Sequence, residues 1–372
     1  MMSVAWQRLL GAVTRTAIRF LAIAVILGGI AAAAPHPISD DRGVYIDIGH
    51  QVPLPDCWNL HCGRFLIAAV LEHLPGPSLL KWKLYAVLAN AAAAVAMGRF
   101  ALALGLPERS AALATWIAAF GAGSLYSLFD CYTSDPLMYL MGPVVSTLLL
   151  QGRRLRAGLL AVVAVLAKEF AAILLWTFAI LEALERRWQQ ALDTLVVAAT
   201  VSLVWFSVQT LLFALYNDSY GGSKSADVWR GGYLALWLSS VGAIGALKYL
   251  FLTFSALYIL VPIGLIRSPR QLQLIAIASV PAIVALVYVQ QPDRALWNFQ
   301  FIVIPIAVVA LTPVPAWVSW PFVVSFGIAN LRIGAQLQTP YVGRLALLTA
   351  ITLAFAVVWR DVAYEPHIVS ED

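Results

Sequence analysis

The chain has 372 residues, of which 61% are hydrophobic and 12% are charged, with a mean hydropathy of +0.83. Soluble domains carry about 25% charged residues, so this composition excludes a soluble globular enzyme. The net charge of +5 does not indicate a nucleic-acid partner, because the basic residues stand at the ends of apolar runs, where they set topology and meet anionic lipid head groups.

The first apolar run, FLAIAVILGGIAAAA, follows Arg8, Arg15 and Arg19. Its terminal alanines would suit a signal-peptide cleavage site, but the many apolar runs that follow favour an uncleaved signal anchor. The positive-inside rule then predicts a cytoplasmic N-terminus. Residues 35–80 become the first extracytoplasmic loop, and the alanine- and arginine-rich composition suggests the inner membrane of a bacterium.

Further apolar runs predict an all-α polytopic membrane protein, a single integral membrane domain (residues 1–372) of about 11 to 12 transmembrane helices. A polar, Gly/Ser-rich segment at 217–247 is predicted to be a second large extracytoplasmic loop. The remaining spans are expected near 82–104, 111–128, 137–150, 195–216, 249–266, 272–289, 299–311, 316–329 and 345–358.

The apolar segment 157–184 contains Lys168 and Glu169 near its middle. A single continuous span would put both charges near the bilayer centre, which is energetically costly. Basic residues flank both ends, at 153–156 and 186–187, which favours an even number of crossings. We therefore expect two short half-spans with Lys168 and Glu169 at the outer end of a cavity, with a single crossing as the alternative.

Acidic residues concentrate in the first two outer loops, at Asp40, Asp41, Asp47, Asp56, Asp130 and Asp135. In TSDP, Ser134 or Asp135 would cap a helix whose first turn contains Pro136. Asp293, in QPDRALWN, is likewise placed near a helix start. A solvated turn would explain Asp40 and Asp41, but the apolar residues that follow them directly anchor the pair near the membrane surface.

The three cysteines all fall in these predicted outer loops. Cys57 and Cys62 are close enough in sequence for a small disulfide in an oxidising compartment, and free buried thiols fit equally well. A zinc site that combines them with His50 and His61 is a weaker alternative, because the spacing matches no established zinc pattern.

An acidic pair that opens the first loop and continues as DDRGVY resembles membrane glycosyltransferases of the GT-C superfamily, in particular mannosyltransferase-like enzymes. CGRFLIAAVLEHLPG resembles the loop helix that follows in that group, and TSDPLMYL resembles its second outer loop. LAKEFAAILLW resembles a Lys-Glu turn between two short spans, and PDRALWNFQFIVIPI resembles a late segment of related bacterial proteins.

The resemblance implies transfer of a sugar from a polyprenyl-phosphate donor to a glycan, glycolipid or protein acceptor on the outer face. A carboxylate base would accept the proton of the acceptor hydroxyl, and fixed positive charge would stabilise the departing lipid phosphate. We predict Asp41 as the base, with Asp40 or Asp135 positioning the acceptor or a divalent cation such as Mg²⁺ or Mn²⁺.

For the phosphate we favour Lys168 and then Arg294, with Arg42 and Arg64 as alternatives. Glu169, Tyr45 and His50 complete the predicted substrate-binding set, and no residue is assigned as a metal ligand.

Two other functions fit the composition. In a multi-spanning transporter or lipid flippase, a buried Lys168–Glu169 pair would be the coupling site, and inverted repeats would favour that class. A non-catalytic partner in an envelope-polysaccharide assembly is the third interpretation. The concentration of acidic residues in outer loops, rather than along the spans, favours the enzyme.

Overall fold

The computed structural model describes residues 4–35, 40–57, 61–217, 232–289 and 292–364, with the backbone alone at 4–13, 40–41, 232–233, 288–289 and 362–364. Within these ranges the regular structure is helical. The helices are α1 Val4–Ala33, α2 Asp40–His50, α3 Phe65–Glu72, α4 Ser78–Ala103, α5 Glu108–Ala119, α6 Ala122–Phe129, α7 Asp135–Leu150, α8 Arg154–Val165, α9 Phe170–Leu184, α10 Trp188–Tyr216, α11 Gly232–Phe254, α12 Leu257–Arg267, α13 Arg270–Val289, α14 Pro292–Trp297, α15 Gln300–Leu311, α16 Ala316–Ile333 and α17 Pro340–Tyr364.

The predicted all-α polytopic membrane fold is confirmed. In the described part of the chain, seven helical segments are long and apolar enough to cross a membrane, and α7, α9, α12 and α15 are shorter apolar helices. The chain is therefore an integral membrane protein. Its orientation in the bilayer remains a prediction.

One predicted span and one predicted loop differ from the observed helices. The span expected at 249–266 is broken at Ser255, which has a left-handed φ of 43°, so α11 ends and α12 begins inside it. The segment expected as a loop at 217–247 is helical from Gly232, with a kink where Gly242 takes a φ of 69°. Only glycine adopts such a conformation without steric cost. Residues 218–231 lie outside the described ranges.

Close packing around α4 organises the first half of the bundle. One face of α4 carries small buried residues, including Ala86, Ala94 and Gly98. A Cβ added at Gly98 would come within 2.2 Å of the Thr115 hydroxyl of α5. Small residues at helix contacts allow the backbones of membrane helices to approach closely, and here they bring α4 against α5 and α7.

The charged segment 157–184 forms two short antiparallel helices instead of one continuous span. Arg154, at the start of α8, donates to Glu182, near the end of α9, at 2.6 Å. With 12 and 15 residues, the helices are about 18 and 22 Å long at a rise of about 1.5 Å per residue. A hydrocarbon core is about 30 Å thick. A hairpin of these helices that starts at one membrane surface would therefore leave the turn that carries Lys168 and Glu169 short of the opposite surface.

We expect residues 151 and 338, which are both exposed, to lie on opposite sides of the membrane. We expect a cysteine introduced as Gln338→Cys to react with a membrane-impermeant maleimide in intact cells, and Gln151→Cys to react only after permeabilisation. The native cysteines leave a low background, because Cys57 and Cys62 form a disulfide and burial raises the pKa of Cys131 to about 11. Labelling of residue 151 alone in intact cells would contradict the proposed orientation.

Candidate active site

A buried ion pair joins the start of α7 to the turn between α8 and α9. Lys168 Nζ donates to Asp135 Oδ1, and the side chains are 5% and 10% exposed. Arg294 approaches the other carboxylate oxygen of Asp135, with its Nη2 3.9 Å from Oδ2. Three segments that are distant in sequence therefore meet at one end of the bundle.

A second ion pair connects the first outer loop to the same turn. Arg64 binds Glu169 through two hydrogen bonds, from Nε at 3.0 Å and from Nη2 at 2.5 Å. Both side chains are largely buried, so each charge depends on the other for compensation. We refer to Arg64, Asp135, Lys168, Glu169 and Arg294 as the charge cluster.

The N-terminus of α7 lacks the side-chain cap that the sequence predicts. The Ser134 side chain makes no capping hydrogen bond, and the carboxylate of Asp135 binds Lys168 instead. Thr133 Oγ1 accepts the Asp135 N–H at 3.2 Å, while the Tyr85 hydroxyl accepts the Leu137 N–H at 3.2 Å. Neighbouring side chains satisfy the backbone of this first turn, so the carboxylate of Asp135 remains available for the charge cluster.

Helix α2 carries the predicted base in the first loop. Its backbone begins at Asp40, but the side chains of Asp40 and Asp41 lie outside the described residues. Tyr45 anchors the helix: it is 1% exposed, its hydroxyl lies 3.0 Å from His61 Nδ1, and its ring centroid lies 5.2 Å from that of Trp82. Tyr45 therefore has a packing role, whatever else it contacts.

Two other predicted binding residues lie on the same helix. The guanidinium of Arg42 lies 5.6 Å from the centre of the Tyr132 ring, so it contacts the segment between α6 and α7. His50 is exposed at the end of α2. The structure gives neither residue an ion pair with a described member of the charge cluster.

Glu72 holds the first loop against α4. Its carboxylate accepts hydrogen bonds from Ser78 at 2.6 Å, Lys81 at 2.9 Å and Trp82 Nε1 at 2.7 Å. Burial would raise the pKa of Glu72, but these donors and the charge of Lys81 lower it. Gly49 of α2 packs directly on this side chain, since an added Cβ would lie 2.4 Å from Glu72 Cγ. The helix that carries Asp41 is therefore attached to the bundle through Glu72.

The cysteines decide one open alternative. Cys57 and Cys62 form a disulfide with a Cα–Cα distance of 5.9 Å, and Cys131 is free and buried. Zinc binds cysteine as the thiolate, so the disulfide excludes the zinc site with His50 and His61. The disulfide closes the loop directly before Arg64.

A divalent cation finds no ready ligand set in the described part of the chain. No group of three His, Cys, Asp or Glu side chains there could hold a metal ion. Asp135, the described carboxylate proposed for that role, already faces Lys168 and Arg294. We therefore assign no step of the proposed reaction to a metal.

The structure thus brings together five of the predicted site residues and adds partners that the sequence did not indicate. The Arg64–Glu169 and Lys168–Asp135 pairs join segments whose relative placement the sequence does not encode locally. Tyr126 was also missed: its ring centre lies 5.3 Å from the Arg294 guanidinium. An aromatic residue in an apolar helix gives no sequence signal of such a contact.

Comparison with known proteins gives limited similarity. The sequence matches no protein-family model and no curated protein. Among solved structures, the chain is similar to the Archaeoglobus fulgidus oligosaccharyltransferase tethered with an acceptor peptide containing the NVT sequon via a disulfide bond, at 14% sequence identity and a TM-score of 0.45. The match covers 91% of this chain and 54% of that protein, so this chain spans about half of the other's length.

Proposed function

We propose that this protein is a membrane glycosyltransferase that transfers a sugar from a polyprenyl-phosphate donor to an acceptor on the extracytoplasmic face. The observation that carries the proposal is the charge cluster, which lies at the recessed turn between α8 and α9 and is tied by Arg64 to the loop that carries Asp40 and Asp41. The short helices would let the phosphate of a lipid-borne donor reach these charges from within the bilayer.

The charges of the cluster suit an anion. Three cations face two carboxylates, which leaves one net positive charge for a phosphate. Lys168 is held by Asp135 and Arg64 by Glu169, whereas Arg294 has its described ion-pair partner only at 3.9 Å. The Arg294 side chain is also 30% exposed, against 5% for Lys168. We therefore favour Arg294 over Lys168 as the direct phosphate ligand, which reverses the order inferred from sequence.

The same geometry favours an enzyme over a transporter. Secondary transporters bind substrate near the bilayer midplane, typically at interrupted helices. Lys168 and Glu169 instead occupy a turn at the outer end of a helical hairpin, beside the outer loops. Charges placed there would face the donor head group rather than couple ion movement across the membrane.

The proposal predicts that Arg294→Gln impairs donor use. A hydrogen bond to a charged group contributes about 1.5–3 kcal/mol, so the KM for a purified polyprenyl-phosphate-sugar donor should rise at least about tenfold, while the KM for the acceptor changes little. The assay is sugar transfer by detergent-solubilised protein to acceptors extracted from the native membrane.

Arg99→Gln is the matched control. Arg99 lies near the C-terminal end of α4, away from the charge cluster, and donates to Thr16. This variant should leave both KM values unchanged. An unaltered donor KM in Arg294→Gln would refute the assigned role of Arg294. A wild-type protein that transfers no sugar from any polyprenyl-phosphate donor would refute the proposed function itself.

A further inference from the structure

A cavity that opens to the surface lies beside the charge cluster and is lined by α6, α11, α14, α16 and α17. Its volume is about 480 Å³, which is within the range of small-molecule binding sites. Tyr126 lines this cavity, and the same ring lies 5.3 Å from the Arg294 guanidinium. Tyr126 and Arg294 therefore separate the cavity from the buried Lys168–Asp135 pair.

The cavity wall carries an excess of positive charge. Lys248, Arg332 and Arg344 line it from three different helices, and Asp293 is the acidic residue among its lining. Within the described ranges, none of the three cations forms an ion pair. Arginine binds phosphate and carboxylate groups through paired N–H donors, so the charge of this wall fits an anionic ligand.

The cavity is also bordered by a buried donor without a protein acceptor among the described residues. Trp297 lines the cavity and is 8% exposed. Its indole N–H has no hydrogen-bond partner among the described residues, and neither does Oδ1 of Asp293. Buried polar groups are nearly always hydrogen-bonded in folded proteins. Trp297 and Asp293 therefore border the cavity with buried polar atoms that the described residues leave unpaired.

We propose that this cavity binds a phosphate or carboxylate group that is carried by the acceptor. The assignment to the acceptor rests on the glycosyl transfer proposed above, while the anion-binding site itself does not. The rings of Tyr126, Tyr249 and Trp297 offer apolar surface to the remainder of a glycan or glycolipid. With the donor phosphate at Arg294, the donor and the acceptor would lie on opposite sides of the Tyr126 ring.

The site is tested by equilibrium binding of radiolabelled glucose 6-phosphate to the full chain in phosphatidylcholine nanodiscs, with glucose as the neutral comparison. We expect Lys248→Gln and Arg344→Gln each to weaken binding at least about tenfold. Leu347→Trp, which fills the cavity without changing its charge, should abolish binding. Arg360→Gln, on the same helix as Arg344 but near its other end, should bind as the wild type does.

The outcomes separate the site from its assignment. If all cavity variants bind glucose 6-phosphate as tightly as Arg360→Gln does, the anion-binding site is refuted, whether or not the protein transfers sugar. If these variants lose binding and the wild-type protein transfers no sugar, the anion-binding site is supported and the proposed function is refuted.

Two further measurements test the acceptor. In a transferring protein, Arg344→Gln should raise the KM for the acceptor about tenfold and leave the KM for the donor unchanged, which is the reverse of Arg294→Gln. Phosphatidylglycerol added to the nanodiscs should not displace glucose 6-phosphate. Displacement by this lipid, together with an unchanged acceptor KM, would assign the site to a membrane lipid head group and overturn the assignment to the acceptor.

Discussion

Replacing Asp41 with asparagine should reduce sugar transfer at least about 100-fold, because general-base catalysis typically contributes about 10²–10⁴-fold. The substitution removes the proton acceptor and hardly changes the side-chain volume. Helix α2 is held by Tyr45 and by the contact of Gly49 with Glu72, so membrane insertion and thermal stability should be retained. Transfer from purified polyprenyl-phosphate donors and the thermal midpoint should be measured on the same preparations.

Two controls come from the same helix. Asp47 is exposed on α2, and Asp47→Asn should leave transfer unchanged, which separates a local loss of charge from the loss of a base. Asp40→Asn should have a smaller effect than Asp41→Asn if Asp40 only positions the acceptor. Inactivity of Asp40→Asn with near-normal turnover of Asp41→Asn would move the base to Asp40. Normal turnover of both variants would exclude this loop from catalysis.

The helical class of the fold could be predicted from the sequence, because apolar runs of membrane length have few alternatives to the helix. Lipid offers no hydrogen-bond partners, so the backbone must satisfy itself within each spanning segment. The half-spans around Lys168 followed from the cost of placing charge in hydrocarbon. The prediction of a single span failed where the sequence gives only a weak signal of a helix break. Ser255, with a φ of 43°, is an ordinary serine in an apolar run.

The pairing of charges could not be predicted, because it depends on the tertiary arrangement. The sequence places Lys168 beside Glu169 and allows the two residues to pair with each other. In the fold, the two side chains diverge from the turn, Lys168 to Asp135 and Glu169 to Arg64. The cation-lined cavity could likewise not be predicted, because Lys248, Arg332 and Arg344 come from segments that carry no shared motif.

Replacing Lys168 with alanine should destabilise the protein by about 3–5 kcal/mol, the usual cost of leaving one member of a buried ion pair without its partner. Asp135 would then be buried, with Arg294 at 3.9 Å as its described counter-charge. The midpoint of thermal unfolding in detergent, followed by loss of monodisperse protein, should fall clearly. Lys81→Ala, which removes the partner of Glu72 at 2.9 Å, is a matched buried-pair control distant from the proposed phosphate ligand.

The decisive comparison is the double variant Lys168→Ala/Asp135→Asn. If the two residues are primarily partners, neutralising Asp135 removes the uncompensated charge, and the double variant should be more stable than Lys168→Ala alone. The coupling between the two substitutions should then be about 0.5–3 kcal/mol, as for other contacting residues. If instead Lys168→Ala keeps its full stability and loses affinity for the polyprenyl-phosphate donor, Lys168 is itself a phosphate ligand. A loss of stability with unchanged donor affinity assigns Lys168 to the structure of the site, because its charge is then used in holding Asp135 in place.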